Sequence, residues 1–285
     1  DVSNFADGSG SMGTITAATL QSSNCAFVRL GLIAGSENVA EMAYRLGIPR
    51  ERQDADGDGD GEPVVLPVKS LPLGVARITP LEMASAYATI ANDGAYNRPY
   101  VIERIEDRDG NVIYQHQAAP EQRIAPETAR LVTSILEQNV QSGTGTRARI
   151  SGQQAAGKTG TNQNSTDAWF VGYTPALSTA VWLGGLGHEY QVRISGGPPI
   201  TGGQYPARIW GAFMNAWQSG RGAVGFAPAP GRPGGQMLLV PGGIDLSPPP
   251  APPADPNQPP PDPNQPLPPP DNGNGNGNGN GPGQG

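Results

Sequence analysis

Lysine is almost absent from this chain: Lys69 and Lys158 are the only two among 285 residues. Cysteine is rarer still, with Cys25 alone, so no disulfide can close within the chain. The two histidines, His116 and His188, are far apart in sequence and lack neighbouring ligand residues, which predicts no histidine-based metal site. Positive charge is scarce overall. A net charge of -7 argues against the basic face that nucleic-acid binding requires. No apolar run approaches the roughly 20 residues needed to span a bilayer. Asp1-Val2-Ser3-Asn4 carries neither an initiating methionine nor a signal-peptide pattern and enters directly into patterned sequence. The protein is then either cytosolic or has its targeting segment upstream of Asp1; the start favours the second and reads as a fragment or processed piece.

Hydrophobic residues make up 36%, low for a fully globular chain, while Gly (41) and Pro (31) are abundant. The excess is uneven. From Ala223 onward apolar periodicity gives way to Pro, Gly and Asn. Such a segment buries too little apolar surface to offset its ordering entropy. The expected division is a globular domain over residues 1–222 and a disordered, partly extended tail over 223–285. No internal repeat is visible.

Within the domain, Thr14–Leu32 reads as a helix with a polar break at Gln21-Ser22-Ser23-Asn24. Ser36 is the expected N-cap of a second helix that stops at Gly47. Thr79-Pro80-Leu81-Glu82 is a capping box that opens a helix through Ala91. Val101–Ile105 and Asn111–Gln115 alternate around Asp107-Arg108-Asp109-Gly110 and predict a β-hairpin. Pro126–Val140 is a further helix. The lysine segment around Lys158, Ala168–Tyr173 and Ser178–Leu183 follow as strands at hairpin spacing, and Pro206–Trp217 closes the domain as a helix. Ile209, Trp210, Phe213, Met214 and Trp217 form its predicted apolar face. Helices, then antiparallel strands, then a helix predict an α+β fold with a helical lobe beside a sheet.

Lys158 stands in Gly157-Lys158-Thr159-Gly160-Thr161, a strand with almost no bulk on either face. A cation there suits a cleft that a substrate must approach closely. Gly160 clears a side chain from the strand edge. Thr159 and Thr161 offer hydroxyls that, with the cation, suit a bound carboxylate. The triplet alone equally suits an edge strand with a protective lysine. Upstream, Ser-x-Asn occurs as Ser22-Ser23-Asn24, in the polar break between helical segments, and as Ser36-Glu37-Asn38, better explained as a helix cap. Ser22 and Asn24 alone would read as ordinary loop polar groups.

Together the Ser-x-Asn and Lys-Thr-Gly segments fit the motif set of penicillin-recognising enzymes. Ser70-Leu71-Pro72-Leu73-Gly74, Thr79–Ala88, Ala91-Asn92-Asp93-Gly94, Gly143-Thr144-Gly145 and Asp167–Pro175 extend the resemblance to the class A penicillin-binding protein transpeptidase domain over nearly all of the globular part. The resemblance implies a β-lactamase/transpeptidase-like fold. It also implies D,D-transpeptidation, the crosslinking of peptidoglycan stem peptides ending in D-Ala-D-Ala, with β-lactams as mimics. Ser22 would relay a proton, Asn24 would hold a substrate amide, and Lys158, Thr159 and Thr161 would bind the terminal carboxylate. The Thr161 N–H would form half of an oxyanion hole. No cofactor or metal is implied. The family's nucleophile is the serine of Ser-x-x-Lys. Leu66 and Ala155 stand three residues before the two lysines, so that motif is absent. The nucleophile, a membrane anchor and a glycosyltransferase domain are expected upstream, which puts the site outside the cytoplasmic membrane and leaves this chain alone inactive. A non-catalytic binding or sensor module and a D,D-carboxypeptidase remain as alternatives.

Other features have plainer readings. Asp54, Asp56, Asp58 and Asp60 resemble a calcium loop, but Val65 stands where the twelfth-position glutamate belongs, so a solvated loop is expected. Cys25 reads as a structural helix cysteine. Trp169 reads as sheet packing rather than a substrate platform. The Pro-rich tail reads as a spacer or wall-embedded extension, with partner recognition through Pro-x-x-Pro as the unsupported alternative.

Overall fold

The structure is a computed structural model that describes residues 13–52, 61–162, 164–185 and 190–231. The acidic loop Asp54–Asp60, His188 and the chain beyond residue 231 lie outside the described residues. Helices α1 (Ile15–Gln21), α2 (Asn24–Ala34) and α3 (Ser36–Leu46) open the chain. A two-stranded ribbon follows, β1 (Glu51–Arg52) with β2 (Glu62–Pro63), then a 3-10 turn at Leu71–Leu73 and helix α4 (Pro80–Ala91). Strands β3 (Ala95–Tyr96), β4 (Arg104–Glu106), β5 (Val112–Gln115) and β6 (Glu121–Gln122) form two small ribbons, β3 with β6 and β4 with β5. Helix α5 (Pro126–Ser142) leads into the main sheet of β7 (Ala156–Thr161), β8 (Asp167–Tyr173) and β9 (Ser178–Gly184), and helix α6 (Tyr205–Gln218) follows. The main sheet is antiparallel in the order β7-β8-β9.

Local chemistry explains these boundaries. Thr14 caps α1 by accepting from the Ala17 N–H at 3.1 Å. Ser22 ends it in the left-handed region, and Ser23 caps α2 from the Ala26 N–H. The predicted single helix is therefore two. At α3 the residue in the cap position is Gly35, at φ 84°, and Ser36 is already helical with no side-chain cap bond. Asn38 instead turns back to the Ala34 carbonyl at 2.7 Å. The capping box of α4 forms in both directions: the Thr79 hydroxyl accepts from the Glu82 N–H, and the Glu82 carboxylate accepts from the Thr79 N–H.

The core sits on both faces of the sheet. Phe170 and Tyr173, three apart on β8, point to opposite faces by the strand's alternation. Phe170 packs with Trp210 and Met214 of α6 and Val140 of α5. Tyr173 packs among α4 and α5, edge-on to Tyr87, with its hydroxyl 2.9 Å from Thr133 Oγ1. A third cluster, Ala40, Ile48, Val65, Leu71 and Ala86, holds the helical lobe together. This is the expected α+β fold, a helical lobe beside an antiparallel sheet flanked by helices.

Two further expectations need correction. On α6, Trp210 and Met214 are fully buried, but Ile209 and Phe213 are 45% and 50% exposed. The buried stripe of the helix is narrower, completed by Pro206, Ala207 and Gly211, and Gly211 lies against the Arg147–Ala148 backbone, where a Cβ would come within 2.9 Å of the Arg147 carbonyl. Beyond α6, the described chain stays against the domain past the compositional boundary at Ala223. The Val224 and Phe226 N–H groups donate to the side-chain carbonyls of Gln153 and Gln154, and the Phe226 ring stands edge-on to Tyr173. Composition marked this segment as tail; one aromatic anchor keeps it docked.

Trp210→Ala is expected to cost about 3–5 kcal/mol in urea unfolding, whereas Ile209→Ala and Phe213→Ala cost less than about 1 kcal/mol each. Equal losses at the three positions would contradict the stripe described.

Candidate active site

β7 is an edge of the main sheet, and Lys158 and Thr159 alternate across it opposite Val171 and Phe170 of β8. Gly157 is compulsory by space. A Cβ there would come within 2.7 Å of the Phe170 ring and 2.8 Å of the Val171 carbonyl. The small residues of this strand thus serve close packing from behind as well as access from the edge.

Lys158 reaches across 136 positions of sequence to Ser22. Its Nζ donates to Ser22 Oγ at 2.7 Å, to its neighbour's Thr159 carbonyl at 3.0 Å, and lies 3.5 Å from Thr159 Oγ1. An ammonium has three donors, and these three oxygens face them. Burial pushes the Lys158 ammonium down to about 8, because desolvation disfavours its charge. At pH 7 it therefore keeps its proton by about ten to one.

Ser22 presents its hydroxyl from a strained backbone, φ 54° and ψ 47°, which costs a side-chain-bearing residue roughly 1–2 kcal/mol. The Schellman-like end of α1 holds it there: the Ser22 N–H donates to the Thr19 carbonyl, and the Ser23 N–H to the Ala18 carbonyl. Asn24, two residues on, is the first residue of α2, and Cys25 is the second.

The hydroxyls of β7 have fixed neighbours. Thr159 Oγ1 lies 2.7 Å from Thr144 Oγ1. Thr161 Oγ1 accepts from the Gly202 N–H at 3.0 Å, which leaves its own proton available. Gly202 and Gly203 lie so close that a Cβ would meet the Gly160 carbonyl at 2.4 Å and the Thr144 carbonyl at 2.8 Å respectively. Asn139, Gly202 and Gly203 carry no site signal in the sequence. The one available signal is Gly143-Thr144-Gly145, a glycine-flanked turn directly after α5.

The predicted residues thus divide. Ser22, Lys158 and Thr159 meet directly, Thr161 is tied to the loop at Gly202, and Asn24 stands two residues after Ser22 at the start of α2. Trp169 lies opposite Gly160 with its ring 6.1 Å from Trp182 on the sheet. His116 stacks on Tyr100 in the exposed hairpin region, with ring centroids 3.6 Å apart. Among the described residues no group of three or more His, Cys, Asp or Glu is placed to hold a metal, and no helix is long and apolar enough to cross a membrane.

A helical lobe bearing Ser-x-Asn, set against a sheet edge bearing Lys-Thr-Gly, defines the β-lactamase/transpeptidase fold. The family profile described as the penicillin binding protein transpeptidase domain matches residues 1–192. Penicillin-binding protein 1A of Mycolicibacterium smegmatis is 35% identical over 257 residues, covering 85% of this chain and 32% of that protein. Penicillin-binding protein 1A of Aquifex aeolicus is 32% identical over 201 residues, covering 70% and 25%. The structure of PonA1 from Mycobacterium tuberculosis in complex with penicillin V is similar with a TM-score of 0.70 at 31% identity, covering 80% of this chain and 63% of that one. The chain belongs to the penicillin-binding protein transpeptidase family, in its class A branch, and it spans a quarter to a third of the length of these 1A relatives.

Ser22→Ala and Ser22→Gly both delete the Lys158 acceptor, but only glycine relieves the left-handed backbone. Ser22→Gly is expected to be about 1 kcal/mol more stable than Ser22→Ala in chemical unfolding. The reverse order would contradict the strained geometry.

Proposed function

We propose that this domain is the carboxylate-binding and proton-relay wall of a peptidoglycan D,D-transpeptidase, working with a serine nucleophile outside these 285 residues. The observation that carries the proposal is the 2.7 Å contact between Lys158 Nζ and Ser22 Oγ. A desolvated ammonium beside a hydroxyl can hold an anion, and it can also lower the cost of moving a proton through that hydroxyl.

In this reading the stem peptide ends in D-Ala-D-Ala and lies along the β7 edge. Its terminal carboxylate takes the place of the Thr159 oxygens around Lys158, which keeps Ser22 Oγ, and Thr159 and Thr161 donate hydroxyl protons to that carboxylate. The nucleophilic serine attacks the penultimate carbonyl, the bond to the terminal D-Ala nitrogen breaks, and Ser22 passes a proton to that leaving amine. Asn24 holds a substrate amide, and the Thr161 N–H supplies one of the two oxyanion donors; losing such a donor typically slows a reaction about a hundred- to a thousand-fold. An amine of a second stem peptide then takes the acyl group. β-Lactams, which present a carboxylate beside a strained amide, would enter the same site. The work takes place outside the cytoplasmic membrane, where peptidoglycan is crosslinked, in a longer protein with an anchor and a glycosyltransferase domain.

A second reading has a specific observation behind it. Neither lysine is preceded at three residues by serine, which suits a non-catalytic binding or sensor module on the same fold. A D,D-carboxypeptidase differs only in using water as the acceptor, and product analysis with an added amine separates the two.

Fluorescent penicillin should label the protein that carries this domain together with a Ser-x-x-Lys segment. It should leave the 285-residue chain unlabelled, and Lys158→Ala should reduce the labelling rate at least tenfold. Carboxylate binding needs the charged ammonium. Apparent affinity should therefore be full below pH 8 and fall as pH rises through about 8. Labelling that ignores Lys158→Ala, or that shows no pH dependence there, would sink the proposal.

A further inference from the structure

Behind Thr159 runs a chain of hydrogen bonds that the transpeptidase reading does not use. Asn139 of α5 is fully buried at 0% exposure. Its Nδ2 donates to the Gly157 carbonyl at 2.8 Å. That carbonyl can only accept, so the amide's orientation is fixed and Oδ1 faces the other way. There Oδ1 accepts from the Thr144 N–H at 3.2 Å and from the Thr144 hydroxyl at 3.2 Å. Gly143 and Gly145 make this possible. A Cβ at Gly143 would lie 2.3 Å from Asn139 Oδ1, and one at Gly145 would lie 3.1 Å from Nδ2.

A hydroxyl has one proton. With the Thr144 proton given to Asn139, the 2.7 Å contact between Thr144 Oγ1 and Thr159 Oγ1 needs Thr159 as the donor. The Thr159 oxygen then faces Lys158 as an acceptor. In this polarity Thr159 has no proton left for a ligand. The opposite polarity is available without moving a heavy atom. Thr159 turns its proton to an incoming carboxylate, and Thr144 turns its own from the longer bond at Asn139 to the shorter one at Thr159. Asn139 Oδ1 keeps the Thr144 N–H, so no buried acceptor is left without a partner, a loss that would otherwise oppose the change.

We propose that Thr144, oriented by Asn139, is a positioning residue that switches the Thr159 hydroxyl from acceptor to donor when a carboxylate binds. The inference rests on the reading of β7 as a carboxylate site, and it deepens that reading by assigning the carboxylate preference in part to a residue that never touches the ligand. The empty site shows lysine an acceptor. The filled site shows the anion a donor.

The test is equilibrium binding of an acyl-D-Ala-D-Ala peptide and of its C-terminal amide to the full-length protein, which needs no acyl transfer. Covalent labelling can therefore fail with this result intact, and the reverse holds too. The wild type should prefer the acid. Thr144→Val should weaken the acid about tenfold, the size of one lost charge-assisted hydrogen bond, and leave the amide unchanged. Thr144→Ser should restore the preference. Should Thr144→Val fail to fold, Thr144→Ala must show the same discrimination. Equal weakening of acid and amide, an unchanged acid affinity in the variants, or a wild type indifferent to the carboxylate would each overturn the proposal.

Discussion

The contact between Lys158 and Ser22 is the point on which the rest of the site depends. It joins the first turn of the helical lobe to the edge of the sheet, and it sets demands on both sides. On the lobe, the serine must sit in the left-handed region, because only that turn between α1 and α2 aims its oxygen at the sheet. On the sheet, the strand must be nearly bare, so that a long cation can lie along it and a ligand can still approach. Burial lowers the proton affinity of Lys158. The ammonium is held less comfortably than in water, and in the proposed site a carboxylate beside it, with Ser22 still in place, would restore what desolvation removed.

The wall behind β7 serves the same end. Asn139, the Gly143-Thr144-Gly145 turn and the Gly202-Gly203 pair fill the space in which a strand of small residues would otherwise be loose. Asn139 and Thr144 bond through their side chains, and the glycines beside them leave no room for a Cβ. In the proposed carboxylate site this rigidity has a use, since preorganised donors cost nothing to reorganise when charge arrives. The aromatic residues Phe170 and Trp210 anchor that face to α6, and Tyr173 anchors the opposite face to α4 and α5.

How much of this could be read from the sequence depended on the range of the interaction. The capping box at Thr79, the stop at Gly47 and the three strands are local or periodic features, and they were legible. Lys158 stood out because lysine is rare and its neighbours are small, and the resemblance to a motif set paired it with Ser22. The cap at α3 was misread because Ser36 is a good capping residue, while a glycine at φ 84° can take the position with no side-chain bond at all. The face of α6 was misread because hydrophobic spacing reports which residues could be buried, not how wide a stripe the sheet accepts. Asn139 was invisible for a related reason. A buried amide whose partners lie 5 and 18 positions away has no period and no composition, and it appears only when the loop at Thr144 folds back on its helix.

The most direct test is an NMR titration of the lysine side chains. With two lysines in the chain, two sets of Cε signals arise, and Lys69→Arg assigns them. The account predicts that Lys158 titrates near pH 8 in the free protein and at higher pH once a carboxylate ligand is bound. A free-state midpoint at or above the ordinary lysine value of about 10.4 would mean that Lys158 is a solvated surface charge, and would contradict the site described.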